Sequence, residues 1–175
     1  VPPGSTLIVW GLHDAGVALP EGVRVHRIED GFVRSVGLGA DLIRPLSWVV
    51  DELGIYYDAT RPSQLERILS ESTFPAEILQ RAAALRTRLV NSGLTKYNVG
   101  AGMWQRPTNG RRVILVPGQV ETDASITYGA PEGVCTVRRN MELLRAVRQA
   151  NPAAWLVYKP HPDVLAGLRV MGQDE

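Results

Sequence analysis

Two short apolar runs rich in branched side chains, Val113-Ile114-Leu115-Val116 and Trp155-Leu156-Val157-Tyr158, bracket a stretch that carries Leu143, Leu144 and Val147 at helical spacing. Strand, helix and strand in that order leave few solutions. Parallel strands need a crossover connection, and the helix must bury its apolar stripe, so the order predicts a parallel α/β unit with a right-handed crossover. Asn140 is placed to cap the helix and Asn151-Pro152 to end it.

The first half of the chain offers similar pieces. Thr6-Leu7-Ile8-Val9-Trp10, closed by Gly11, reads as a buried strand, followed by a loop with His13 and Asp14. Val23, Val25 and Ile28 alternate with polar residues and give a second strand that ends on Glu29 and Asp30. Trp48 to Val50 and Ile55 to Tyr57 flank Asp51-Glu52-Leu53-Gly54 in the manner of a β-hairpin. Ser63 and Glu66 form a Ser-x-x-Glu capping box at a helix start. A second helix is expected from about Pro75 to Asn91, its stripe of Ile78, Ala82, Leu85 and Leu89 in core contact, with Gly93 just past its end. Thr95 to Asn109 reads as the connection between two α/β layers, giving lobes 1–109 and 110–175.

Composition narrows the function class. The 175 residues are 45% apolar, enough for a packed core, and the formal charge of +1 comes with no basic run, which argues against nucleic acid as a partner. No stretch approaches the roughly 20 apolar residues of a spanning helix, and the start, which lacks Met and looks trimmed, has no signal-peptide pattern. Cys135 is the lone cysteine, so no internal disulfide forms; a reducing, cytoplasmic compartment is expected, and no Cys/His cluster has zinc spacing.

Three polar clusters follow strand ends, where ligands bind in open α/β sheets. Glu29 and Asp30 close one strand; being adjacent, they face opposite ways, so one is expected to act on a proton while the other orients it. Alone, a Glu-Asp-Gly turn is also a common solvated feature. Gln119, Glu121, Asp123 and Ser125 follow the second apolar run in a loop shaped by Pro117 and Gly118. There Asp123 can be a nucleophile in a two-step retaining transfer, or it can cap a turn through Ser125. Glu121 and Asp123 holding a divalent metal ranks lower, and no metal site is expected. Lys159-Pro160-His161-Pro162 supplies a cation and a backbone-restricted imidazole suited to a leaving phosphate. Lys96 and Lys159 are the only lysines, and both lie in candidate segments.

The segments from Arg27 to Gly39, Gly54 to Thr60, Val116 to Glu121 and Tyr158 to Val164 together resemble the bacterial capsule polysaccharide β-Kdo transferases of the KpsC type. The paired acid-Asp-Gly and His-Pro motifs also look like those of bacterial sialyltransferases. The resemblance implies an α/β enzyme of GT-B-like, two-lobed form with Rossmann-like parallel sheets, whose second lobe is here incomplete. It implies a retaining glycosyltransferase that moves Kdo from CMP-Kdo to a lysophosphatidylglycerol-type glycolipid in capsule linker synthesis. No cofactor beyond the donor substrate is implied.

By the same resemblance Asp123 is the essential carboxylate, Glu29 and Asp30 the acid-base and orienting pair, and Lys159 and His161 the contacts to the CMP phosphate, with Pro162 beside them. Gln119, Ser125 and Arg34 become donors to the substrate carboxylate. Peripheral association with the inner membrane and with other capsule assembly proteins is expected on the same ground. Two other readings stand beside it. One is an inverting transferase in which Asp30 is base and His161 acid. The other is a non-catalytic capsule assembly or export protein.

Overall fold

The computed structural model describes residues 1–13, 18–100, 102 and 104–172. The expected loop residue Asp14 lies outside that range. The chain divides into two compact units, Val1–Val99 and Gly100–Glu175, a division ahead of the 109/110 boundary read from the sequence.

In the first unit β1 (Thr6–Trp10) pairs in parallel with β2 (Arg24–Asp30), and β2 pairs antiparallel with β3 (Trp48–Asp51). Trp10 stands opposite Ile28, and Ile28 opposite Val50, so these three share a face; Glu29, one step on, belongs to the other face. The continuous apolar run of β1 predicts cover on both sides. Instead its side chains alternate half-buried and exposed, with Ile8 64% and Trp10 40% exposed. The period of two explains this: one face of a three-stranded sheet is bare among the described residues.

The expected hairpin is replaced by a tighter device. Buried Asp51 accepts from the backbone N–H of Leu53 and Gly54 through Oδ1 and from that of Gln64 through Oδ2. These three bonds turn the chain into the next helix, so Ile55 to Tyr57 form no strand. Ile55 is wholly buried and anchors the turn; burying such a side chain is worth about 1.5–3 kcal/mol.

Helix α1 (Gln64–Glu71) starts on the expected box: the Glu66 N–H donates to Ser63 Oγ, and the Ser63 N–H to the Glu66 carboxylate. Helix α2 (Ala76–Asn91) ends before Gly93, whose φ of 62° suits the turn that closes it. Its apolar stripe is not in core contact. Neither helix has a buried residue, and Ile78 and Leu85 are exposed. Helical periodicity identifies a face that favours cover; it does not supply the cover.

The second unit is the parallel α/β unit read from the sequence. Strands β4 (Val113–Pro117) and β5 (Trp155–Lys159) pair in parallel from Val113↔Trp155 to Pro117↔Lys159. Between them lie α3 (Ala124–Gly129) and α4 (Asn140–Ala150), and α5 (Pro162–Leu165) follows β5. Val116, Val120, Ala154 and Val164 are its buried apolar residues. The register puts the carboxyl ends of β4 and β5 side by side, so the loops that leave them share one sheet edge.

Candidate functional site

In the first unit Glu29 and Asp30 end β2 and then part. Asp30 Oδ2 lies 2.6 Å from Arg34 Nε, and the two side chains are only 14% and 6% exposed. This is an ion-pair contact rather than an aligned hydrogen bond, and Asp30 Oδ1 is buried with no hydrogen-bond partner among the described residues. Arg34 Nη1 donates to Ser35 Oγ at 3.0 Å, and Ser35 Oγ to the Gly37 carbonyl. The Arg34 and Ser35 amides donate to the Lys96 carbonyl, and Asn98 Nδ2 to the Ser35 carbonyl. Arg34, expected to reach the substrate carboxylate, is thus placed inside the protein as the partner of Asp30.

Glu29 goes the other way. Its Oε1 accepts from the Asp30 N–H at 2.9 Å. Gly11, next to the end of β1, leaves no room for a side chain. A Cβ there would stand 2.9 Å from the Tyr57 hydroxyl and 3.6 Å from Glu29 Oε2, so phenol and carboxylate both lie against the same glycine. Tyr57 and Tyr56 meet edge to face, and Phe32 tilts against Tyr56. Sequence reasoning missed Tyr57 because a tyrosine near a turn has no spacing signal of its own. Gly31, between the acids and this aromatic pair, is pressed on Ser47: its amide donates to the Ser47 carbonyl, and an added Cβ would overlap Ser47.

In the second unit the residues after β4 form one bonded loop. The Gly118 amide donates to the Lys159 carbonyl at 2.8 Å, and the Tyr158 ring covers Gly118 so closely that a Cβ would collide with it. Asp123 is the N-cap of α3: its Oδ1 accepts from the Ser125 amide at 2.8 Å and from Ser125 Oγ at 2.6 Å. No hydrogen bond from the described residues reaches Asp123 Oδ2. Gln119 turns its side chain inward, with Oε1 accepting from the Val120 amide and Nε2 donating to Ser125 Oγ at 3.2 Å. Gln119 and Ser125, expected to face the substrate carboxylate, therefore also hold Asp123.

Asn140 corrects the sequence reading. It occupies the first position of α4 rather than the cap, and its side chain is turned back to the loop. The Gln119 amide donates to Asn140 Oδ1 at 2.9 Å, Asn140 Nδ2 donates to the Gln119 carbonyl at 2.8 Å, and the Asn140 amide donates to Glu121 Oε1 at 2.9 Å. Glu121 and Asp123 thus serve two different helix starts. Among the described residues no group of three His, Cys, Asp or Glu side chains is arranged to hold a metal ion.

Lys159 and His161 leave the adjacent strand end. Lys159 is exposed, opposite Pro117 in the register. His161 caps the short α5, whose first residue is Pro162, and its Nδ1 accepts from the Asp163 amide at 3.2 Å. An Nδ1 that accepts assigns the proton of the neutral ring to Nε2, which is then a donor. The Asp163 carboxylate stands 3.9 Å from Nδ1, ready to pair with a protonated ring. The structure therefore gathers Gln119, Asp123 and Ser125 in one loop and sets Lys159, His161 and Pro162 on the neighbouring one. Glu29, Asp30 and Arg34 form the cluster of the first unit.

Residues 10–98 and 75–173 match the family described as capsule polysaccharide biosynthesis protein. The chain is 50% identical over 169 residues to the capsule polysaccharide modification protein LipA of Neisseria meningitidis serogroup B, covering 95% of this chain and 23% of LipA. It is 42% identical over 174 residues to the lipopolysaccharide-processing protein LpsZ of Rhizobium meliloti, covering 94% of this chain and 38% of LpsZ. Two solved structures of Thermosulfurimonas dismutans KpsC are similar over 94% of the chain. The β-Kdo 2,7 transferase has 43% identity and a TM-score of 0.69, and the β-Kdo 2,4 transferase 31% and 0.75. The chain spans 50% and 52% of those two structures, and less of the curated relatives.

Proposed function

The chain belongs to the capsule polysaccharide biosynthesis protein family, and from that premise we propose that the full-length protein is a retaining β-Kdo glycosyltransferase of GT-B form. Its donor is CMP-Kdo, and its acceptor is a lysophosphatidylglycerol-type glycolipid met at the cytoplasmic face of the inner membrane, beside other capsule assembly proteins. The observation that carries the reading is the edge shared by β4 and β5. There Asp123 keeps one carboxylate oxygen doubly hydrogen-bonded and the other clear of such bonds among the described residues, and the Lys159/His161 loop leaves the adjacent strand.

In this reading Asp123 Oδ2 attacks the anomeric carbon of Kdo while the bond from that carbon to the CMP phosphate oxygen breaks, its electron pair leaving with the phosphate. The Lys159 ammonium and the His161 Nε2–H stabilise the charge on the released CMP. A glycosyl ester on Asp123 results. The acceptor hydroxyl then gives its proton to a general base as its oxygen attacks the same carbon and frees the Asp123 carboxylate. Two displacements on one carbon retain its configuration. The Asp30–Arg34 pair fixes the end of β2 from which Glu29 projects. No described helix is long and apolar enough to cross a membrane.

The test is intact-protein mass spectrometry of the full-length protein mixed with CMP-Kdo and no acceptor. A mass increase of one Kdo mapped to Asp123, lost in Asp123→Ala together with CMP release, supports the reading. Full turnover in Asp123→Ala ends it. A second reading is favoured by one observation: Asp123 already caps α3. In it Asp123 only supports the loop, and a single displacement inverts the configuration of the carbon. The anomeric configuration of the product decides between the two.

A further inference from the structure

We propose that Asn140 is a positioning residue for Asp123, acting through Gln119, an inference that rests on the retaining-transferase reading above. Asn140 is 7% exposed and sits at the first position of a helix whose start is already satisfied by other carboxylates: Glu121 takes the Asn140 amide, and Glu142 those of Arg138 and Arg139. Its side chain is therefore not needed for capping, and both of its polar ends go to one residue. Asn140 Oδ1 accepts the Gln119 N–H and Nδ2 donates to the Gln119 C=O, the double bond that a neighbouring strand would make.

The consequence runs along the loop. With its backbone pinned on both sides, Gln119 presents its amide in one orientation, with Oε1 taking the Val120 N–H and Nε2 reaching Ser125 Oγ at 3.2 Å. A Ser125 hydroxyl that accepts from Gln119 must send its own proton elsewhere, and it sends it to Asp123 Oδ1 at 2.6 Å. The order of donors is thus fixed from Asn140 to Asp123. Oδ1 carries two donated hydrogen bonds, and Oδ2 is the oxygen presented for attack. A carboxylate that rotates by half a turn, or shifts by about 1 Å, loses that selection, and displacements of this size cost on the order of a hundredfold in rate. The part of donor binding that the Lys159/His161 loop supplies is spared.

The experiment measures kcat and KM for CMP-Kdo separately in the full-length protein, for the wild type, Asp123→Ala, Asn140→Ala and Asn140→Asp. Asn140→Asp keeps the size and the acceptor for the Gln119 N–H and sets a carboxylate oxygen in place of the donor to the Gln119 C=O, so it gives a second, isosteric variant if Asn140→Ala does not fold. The expected result is a kcat lower by about tenfold to a hundredfold in folded Asn140 variants with KM within about twofold, and slower labelling of Asp123 in the mass assay. A kcat unchanged in Asn140→Asp, with turnover abolished in Asp123→Ala, overturns the positioning role alone. A KM that rises with kcat unchanged also overturns it, because Asn140 then serves donor binding. Full turnover in Asp123→Ala overturns the parent reading, and the proposed role of Asn140 with it.

Discussion

Both polar clusters follow the carboxyl end of a parallel strand and contain a carboxylate in contact with a loop, yet they are closed in different ways. After β2 the charge is neutralised: Asp30 faces a buried guanidinium, and the Arg34–Gly37 segment is tied to the carbonyls of Lys96 and Tyr97. After β4 the charge is only oriented, since Asp123 receives neutral donors from Ser125 and no cation pairs with it among the described residues. An ion pair fixes a carboxylate and lowers its reactivity together. A hydroxyl and an amide on one oxygen fix it and leave its nucleophilic partner oxygen available. The contrast is between a carboxylate paired with a buried cation and one held by neutral donors.

The largest effect should come from breaking the neutralised cluster. Arg34→Met leaves the Asp30 carboxylate buried without its partner and is expected to lower stability by about 3–5 kcal/mol in denaturant unfolding, with Arg34→Met/Asp30→Asn recovering most of it. A loss under about 1 kcal/mol would make Arg34 a ligand-facing group after all. The glycines sharpen the same contrast. Gly31→Ala drives a Cβ against Ser47, whose backbone carbon lies 2.8 Å from the ideal position, whereas Gly118→Ala meets only the side chain of Tyr158. Gly31→Ala should therefore cost about 3 kcal/mol and Gly118→Ala about 1 kcal/mol by the same measurement, within the range of overpacked sites. Equal costs would mean that the two strand ends are equally rigid.

Local signals in the sequence were read well where one segment contains its own explanation. The Ser63–Glu66 box, the end of α2 before Gly93 and the β4–α4–β5 order need only residues a few positions apart. The failures involve partners far along the chain. Asp51 looked like the tip of a hairpin because its bond to the Gln64 amide lies 13 residues away. Asn140 looked like a cap because Asn before an apolar stripe is a cap in most chains, and its true partner, Gln119, is 21 residues back. Arg34 stands out in the sequence because charge is visible there, whereas its burial against Asp30, only four residues away, is not. The apolar run of β1 and the apolar stripe of α2 gave the right elements and the wrong burial, since cover is a property of the neighbours.

Ser125→Ala tests the oriented cluster with a smaller perturbation. It removes the hydroxyl bond to Asp123 Oδ1 and the link from Gln119, and keeps the backbone amide on the same oxygen. With half of the restraint left, kcat of the full-length protein is expected to fall at least about tenfold, since one hydrogen bond to a charged group is worth about 1.5–3 kcal/mol and about 1.4 kcal/mol is tenfold in rate. A loss as deep as that of Asp123→Ala would move Ser125 from support into the chemistry itself.

The smallest effect should appear at Glu142, a half-buried carboxylate at the start of α4. The Arg138 amide donates to Glu142 Oε2 at 2.9 Å, and the Arg139 amide at 3.0 Å. These amides, that of Arg138 foremost, hold the carboxyl below its ordinary value, helped by the positive charges of Arg139 and Arg138 and opposed by desolvation. A folded-state value below the unfolded one adds stability that is fully present above the unfolded pKa and disappears as pH falls through the folded one. Glu142→Gln should therefore lower the hydrogen-exchange protection of the Arg138 and Arg139 amides at neutral pH and make no difference in acid below the folded value. It should leave the Gln119 amide unchanged at every pH, because Asn140 holds that amide from inside the unit. If Gln119 loses protection along with the two arginines, the surface cap and the inner clamp are one cooperative device. In that case the orientation of Asp123 depends on the charge of Glu142, and activity in the full-length protein would follow the same titration.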